Sequence, residues 1–105
     1  MEGRCECEIL SIERDSWTKC WWDLKVRSPR GKEWIVLFTV TRDMEFIRVE
    51  VTNRERVKNF QLPTRFYIPI DRRTLRRLYP GNESEVPRFF YRIVLPFLLE
   101  NFGEF

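Results

Sequence analysis

Phe66-Tyr67-Ile68-Pro69-Ile70-Asp71-Arg72-Arg73-Thr74-Leu75-Arg76-Arg77-Leu78-Tyr79-Pro80-Gly81 is the stretch that decides how the chain is built. Its first part, taken with Arg65, reads as a short strand in which Pro69 favours a sheet edge. Asp71 is a good helix N-cap, because its carboxylate can accept the free amides of the first turn at the positive end of the helix dipole. Pro80-Gly81 is a stop signal. At 100° per residue, Leu75, Leu78 and Tyr79 share one side of the helix, and Arg72, Arg73, Arg76 and Arg77 share the other. The pairs Arg72/Arg76 and Arg73/Arg77 are like charges one turn apart, each costing roughly 0.2 to 0.5 kcal/mol on an isolated helix. Two readings stand side by side. The arginines form a solvated face onto which Glu83 or Glu85 folds back, or they form a phosphate-binding face that uses the rigid donor fork of guanidinium.

Upstream, residues 4 to 52 alternate with period two in four runs, and one set of hairpin registers keeps their faces consistent. A two-residue turn at Arg14-Asp15 places Cys5, Cys7 and Ile9 opposite Leu24, Trp22 and Cys20. A loop over Ser28 to Lys32 places Trp22, Leu24 and Val26 opposite Phe38, Val36 and Trp34. A turn at Asp43-Met44 places Val36, Phe38 and Val40 opposite Val51, Val49 and Ile47. One face of a four-stranded antiparallel meander is thereby apolar throughout, and it is the core face. The other gathers Ile12, Trp17, Trp21, Ile35, Leu37 and Phe46 among Lys19, Lys25, Arg27 and Arg48. Large apolar groups mixed with cations on an open sheet suggest a contact surface. The alternatives are a homodimer seam, burial under the chain's own C-terminus, and a platform on which bases of a single strand stack.

Asn53 to Pro63 reads as a basic connection carrying Arg54, Arg56 and Lys58. After the arginine helix, Asn82 or Ser84 can cap a second helix with Pro87 in its first turn. Its Phe89, Phe90, Ile93, Val94, Leu95, Phe97, Leu98 and Phe102 are apolar nearly all round, so it must be deeply buried or shared with another subunit. Pro96 should kink it near Arg92. Residues 88 to 95 also admit a strand reading. The expected architecture is α+β: a four- to five-stranded antiparallel meander covered on one face by two C-terminal helices. It forms a single domain over 1–105, with 1–52 the sheet, 53–70 the basic connection and short edge strand, and 71–105 the helical cover.

With 105 residues the chain suffices for one hydrophobic core. The net charge is +3, but its distribution is uneven. Residues 1–52 carry nine bases and ten acids, residues 53–79 eight and two, and residues 80–105 two and four. The excess therefore sits in the middle block. Arginine outnumbers lysine fifteen to four, and a single glutamine and many charged groups suit a hot environment. Cys5, Cys7 and Cys20 are an odd number without an apolar leader at Met1 to Glu6, which leads us to expect a cytoplasmic chain with reduced thiols. No apolar run is long enough to span a membrane.

Catalytic chemistry is poorly provided for. With no histidine, the commonest general base and metal ligand is missing. The C-x-C spacing of Cys5 and Cys7 on a strand is not that of a zinc site, and the four glycines form no phosphate loop. Neither an enzyme, a cofactor, a metal nor a small-molecule substrate is expected; the catalytic alternative is a nuclease using carboxylates and a metal.

The segment Arg65-Phe66-Tyr67-Ile68-Pro69, with Arg73 four residues after the proline and Pro80-Gly81-Asn82 after the helix, resembles the strand-helix-strand unit of AbrB-type swapped-hairpin DNA-binding regulators. The resemblance covers about thirty of the 105 residues. It implies a dimeric duplex-DNA binder with Arg65, Arg72, Arg73 and Arg77 near phosphates. Thr64 stands where that family has glycine, and the four upstream strands lie outside it. In topology alone, a four-stranded meander followed by a helix is similar to small transcriptional coactivators that bind melted DNA as dimers. The expected function is non-enzymatic nucleic-acid binding by a homodimer. Arg65, Arg72, Arg73, Arg76, Arg77 and Lys58 would meet the nucleic acid. Ile12, Trp17, Trp21, Ile35, Leu37 and Phe46 would form the seam between subunits. The alternative is a protein-interaction or structural module that uses the tryptophan face. Packing of Leu75 and Leu78 on the core should turn the arginines away from that face.

Overall fold

Alternation in the sequence becomes a five-stranded antiparallel meander in the computed structural model, which describes residues 7–105. The strands β1 (Glu8–Arg14), β2 (Trp22–Arg27), β3 (Glu33–Val40), β4 (Phe46–Thr52) and β5 (Thr64–Pro69) lie side by side in chain order. Registers across β2, β3 and β4 are the expected ones: Leu24 faces Val36, which faces Val51, and Trp22 faces Phe38, which faces Val49. β5 pairs with β4 and is an edge strand, with Pro69 at its last position.

β1 departs from the expected register. Ile9 pairs with Val26 and Ile12 with Leu24, with a bulge between Ile9 and Ser11. A longer loop replaces the two-residue turn. Asp15 N–H donates to the Trp21 carbonyl at 2.9 Å, and the Asp15 carboxylate accepts from the Thr18 amide at 3.1 Å. The extra residue at the bulge changes which side chains point inward. Ile12 therefore packs against the core and does not join the open face. Cys5 lies outside the described residues, and Cys7 is buried.

The connection after β4 holds a short helix, α1 (Arg54–Lys58), capped by Asn53, whose side chain accepts from the Arg56 amide at 2.8 Å. Arg56 is structural. Its guanidinium stacks over Trp34 at 5.3 Å and bonds Glu104 at 2.6 Å and Thr64 Oγ1 at 2.9 Å.

Two helices cover the core face. α2 (Arg72–Leu78) starts at Asp71, whose carboxylate accepts from the Thr74 amide at 2.9 Å, and buries Leu75 and Leu78. α3 runs without a break over residues 83–101, with Asn82 accepting from the Ser84 amide. Residues 88–95 are helical, so the strand-helix-strand unit is not formed. Pro96 has no N–H for the Arg92 carbonyl, and its ring crowds that carbonyl. The backbone widens into a π turn over Phe90–Val94, where the Leu95 amide bonds the Phe90 carbonyl. Phe89 stacks between Phe38 and Tyr79, with ring centroids 5.3 Å from each. Trp34 meets Phe102 edge-on at 5.1 Å, and Phe105 closes the same corner. No helix among the described residues is long and apolar enough to cross a membrane.

Candidate nucleic-acid interface

α2 presents Arg72, Arg73, Arg76 and Arg77 to solvent, because Leu75 and Leu78 fix its other side in the core. Among the described residues none of the four has a carboxylate within 4.0 Å, whereas Arg27, Arg48, Arg56 and Arg65 each do. Two acids of the helical hairpin serve the backbone instead. Asp71 caps α2, and hydrogen bonds from the Thr74 amide and hydroxyl hold its carboxyl below the usual range. Glu85 accepts from the Gly81 amide at 2.7 Å, so it does not fold back onto the arginines.

α3 adds to this surface. Arg88 donates to the Arg77 carbonyl at 3.2 Å, beside the last turn of α2. One turn further on, Arg92 lines the same groove as Arg72. This groove of about 1040 Å³ runs between the N-terminal turn of α2, the second half of α3 and the β3–β4 hairpin. Ile68, Ile70, Ile93 and Phe97 give it apolar lining, and Glu45, Asp71 and Glu100 line it beside the two arginines. Arg88 and Arg92 are one helical turn apart on the side of α3 opposite Phe90 and Val94, and a helical projection of that segment would have found them.

The other basic residues expected at this site lie elsewhere. Arg65 points to the open face of the sheet, where its Nε donates to Glu50 at 3.1 Å. Lys58 ends α1 at the opposite end of the sheet from α2, since β5 runs between them. Neither joins the α2 arginines.

The open face keeps four of its six expected residues. Trp21, Ile35, Leu37 and Phe46 lie there, all half-buried. Ile12 has turned inward, and Trp17 stands off the sheet in the β1–β2 loop, 92% exposed. Tyr67 joins the face instead, edge-on to Phe46 with centroids 6.3 Å apart. Alternation along β5 carried that signal, since Phe66 packs on Phe97 and its neighbour must point the other way. Arg48 lies between them, its guanidinium 5.4 Å from the Trp21 ring and bonded to Glu50 at 3.0 Å.

Charge divides this face. Asp23 shares the β1–β2 side with Glu13 and Asp15, and burial together with those two acids pushes its carboxyl up. Among the described residues, no cluster of three metal-ligating side chains occurs. No protein-family model, curated protein or solved structure matches the chain.

Proposed function

We propose that the protein binds nucleic acid through the arginine face of α2, without catalysing a reaction. The observation that carries this reading is that four guanidinium groups sit on two helical turns with no carboxylate within 4.0 Å among the described residues, while Asp71 and Glu85 are bonded to backbone amides. Like charges at this spacing cost stability, and a polyanion offsets that cost by supplying phosphate oxygens to each fork. Arg88 and Arg92 extend the same surface along α3.

The test is a quadruple substitution of Arg72, Arg73, Arg76 and Arg77 by Gln. It should remove oligonucleotide binding at low salt while leaving the far-ultraviolet circular dichroism unchanged. Full binding by the variant overturns the proposal. A second reading takes the open sheet face as a seam between two copies, favoured by Ile35 and Leu37 on the central strand of the face. Sedimentation of wild-type and Leu37→Glu protein decides it, because a seam predicts a dimer that the glutamate splits.

A further inference from the structure

At the end of the sheet nearest α2, the open face is indented. A cleft of about 390 Å³ is lined by Trp21 on the β2 side and Tyr67 on β5, with Thr39, Thr41, Arg42 and Arg48 between them and the Arg48 guanidinium over the Trp21 ring. Among the described residues no carboxylate lines it, although Arg48 is paired with Glu50 at 3.0 Å, which leaves Arg42 as its cation without a carboxylate within 4.0 Å. An aromatic side chain at each end of a cleft that also holds two guanidinium groups matches a ring with an attached anion, since any base offers a π face and its phosphate an acceptor. Such a cleft suits a flat group entering from outside better than a second flat sheet.

Phe46 connects this cleft to the arginine face. Its ring meets Tyr67 on the cleft side and also lines the groove that holds Arg72 and Arg92. The two surfaces therefore adjoin at the β3–β4 hairpin, although α2 packs on the opposite side of the sheet. The acids Glu13, Asp15 and Asp23 on the β1–β2 side disfavour phosphate there and leave β3 to β5 as the accessible half.

We propose that the Trp21–Tyr67 cleft stacks an unpaired base of a single-stranded nucleic acid whose backbone continues past Phe46 onto the arginines of α2. This rests on the phosphate-binding reading of α2 and specifies the nucleic acid as single-stranded. A base held in a duplex cannot enter the cleft without leaving its stack.

The experiment is fluorescence anisotropy with three labelled 12-mers: a single-stranded oligothymidylate, an abasic strand of the same length, and a duplex. Each is titrated with wild-type, Trp21→Ala, Tyr67→Ala and the quadruple arginine-to-glutamine protein. The expected result is tightest binding to oligothymidylate. Each aromatic substitution should weaken that binding by about 5- to 100-fold, the effect of losing one base–aromatic stack, and leave abasic-strand binding unchanged. Tyr67 is about half exposed, so its replacement keeps the test valid if the Trp21 variant does not fold. If the abasic strand binds as tightly as oligothymidylate, or Tyr67→Ala binds as wild type, the base site is overturned while phosphate binding by α2 stands. If Trp21→Ala splits a dimer and leaves oligothymidylate affinity unchanged, the face is a seam and the base site is again overturned. If no strand binds at low salt, both proposals fall.

Discussion

Phe60 adopts φ of 58° just after α1, the left-handed conformation that usually falls to glycine at a helix end. Its amide bonds the Val57 carbonyl and that of Gln61 bonds the Arg56 carbonyl, which together close the helix in a Schellman motif. The ring gains little in return, because it is 95% exposed. Phe60→Gly should therefore raise stability by about 1 kcal/mol, measurable by urea unfolding, from relief of the left-handed strain. A lower stability would mean that the ring packs in a way its exposure does not show. Asp23 is a second residue held against its preference. Its folded pKa lies above the unfolded value of about 3.9, so the folded state holds the proton more tightly. Stability from that proton is fully present below the unfolded pKa and is lost as pH rises through the folded pKa. Asp23→Asn should then raise the thermal midpoint at pH 7 and leave it nearly unchanged below about pH 3. Burial pushes the Cys7 thiol up to about 11. Iodoacetamide at pH 8 should therefore label the exposed Cys20 long before Cys7, as peptide mass spectrometry would show.

Among the elements, α2 carries two like-charge pairs at i,i+4, so removing its charges should not weaken the fold. The quadruple glutamine variant should melt at or slightly above the wild-type temperature, with a gain below about 1 kcal/mol from two relieved pairs. A clear loss of stability would point to ion pairs absent from the structure. This helix was legible in the sequence because its cap, apolar stripe and stop all agree. The same holds for the registers of β2, β3 and β4, where both flanking faces constrain the pairing. β1 was not, because a bulge between Ile9 and Ser11 breaks its alternation, so that Ile9 and Ile12 both face the core, and a loop held by Asp15 shifts its pairing. α1 was hidden as well, since it buries no residue and so leaves no apolar period to read. In residues 88–95 only Arg88 and Arg92 interrupt the run of apolar and aromatic groups, which suits helix and strand alike until the π turn before Pro96 is seen. The site was legible in part. The four arginines stand out by spacing, while Tyr67 and Arg42 come to line one cleft with Trp21 only once the strands are set side by side in order.

Across the whole molecule, the helices and the sheet depend on one shared core. Phe89 shows this most directly, being fully buried between β3 and the last residue of the arginine helix's C-terminal cap. Phe89→Ala should cost about 3 to 5 kcal/mol, a large share of the roughly 5 to 15 kcal/mol typical of a domain, and should loosen α2 and β3 together. Arg56 plays a similar part at the other end, where it joins α1 to Trp34, Thr64 and Glu104. Such an arrangement anchors the buried side of α2 through Leu75 and Leu78 and leaves its arginines on the exposed side.

The most direct test of the central claim is the salt dependence of binding to a labelled single-stranded 12-mer. Four arginines engaging phosphates predict that log affinity falls linearly with log salt with a slope of about −3, and that the quadruple glutamine variant loses both the affinity and the slope. A wild-type protein that binds no strand at low salt, or a variant that keeps the wild-type slope, would contradict phosphate binding by α2.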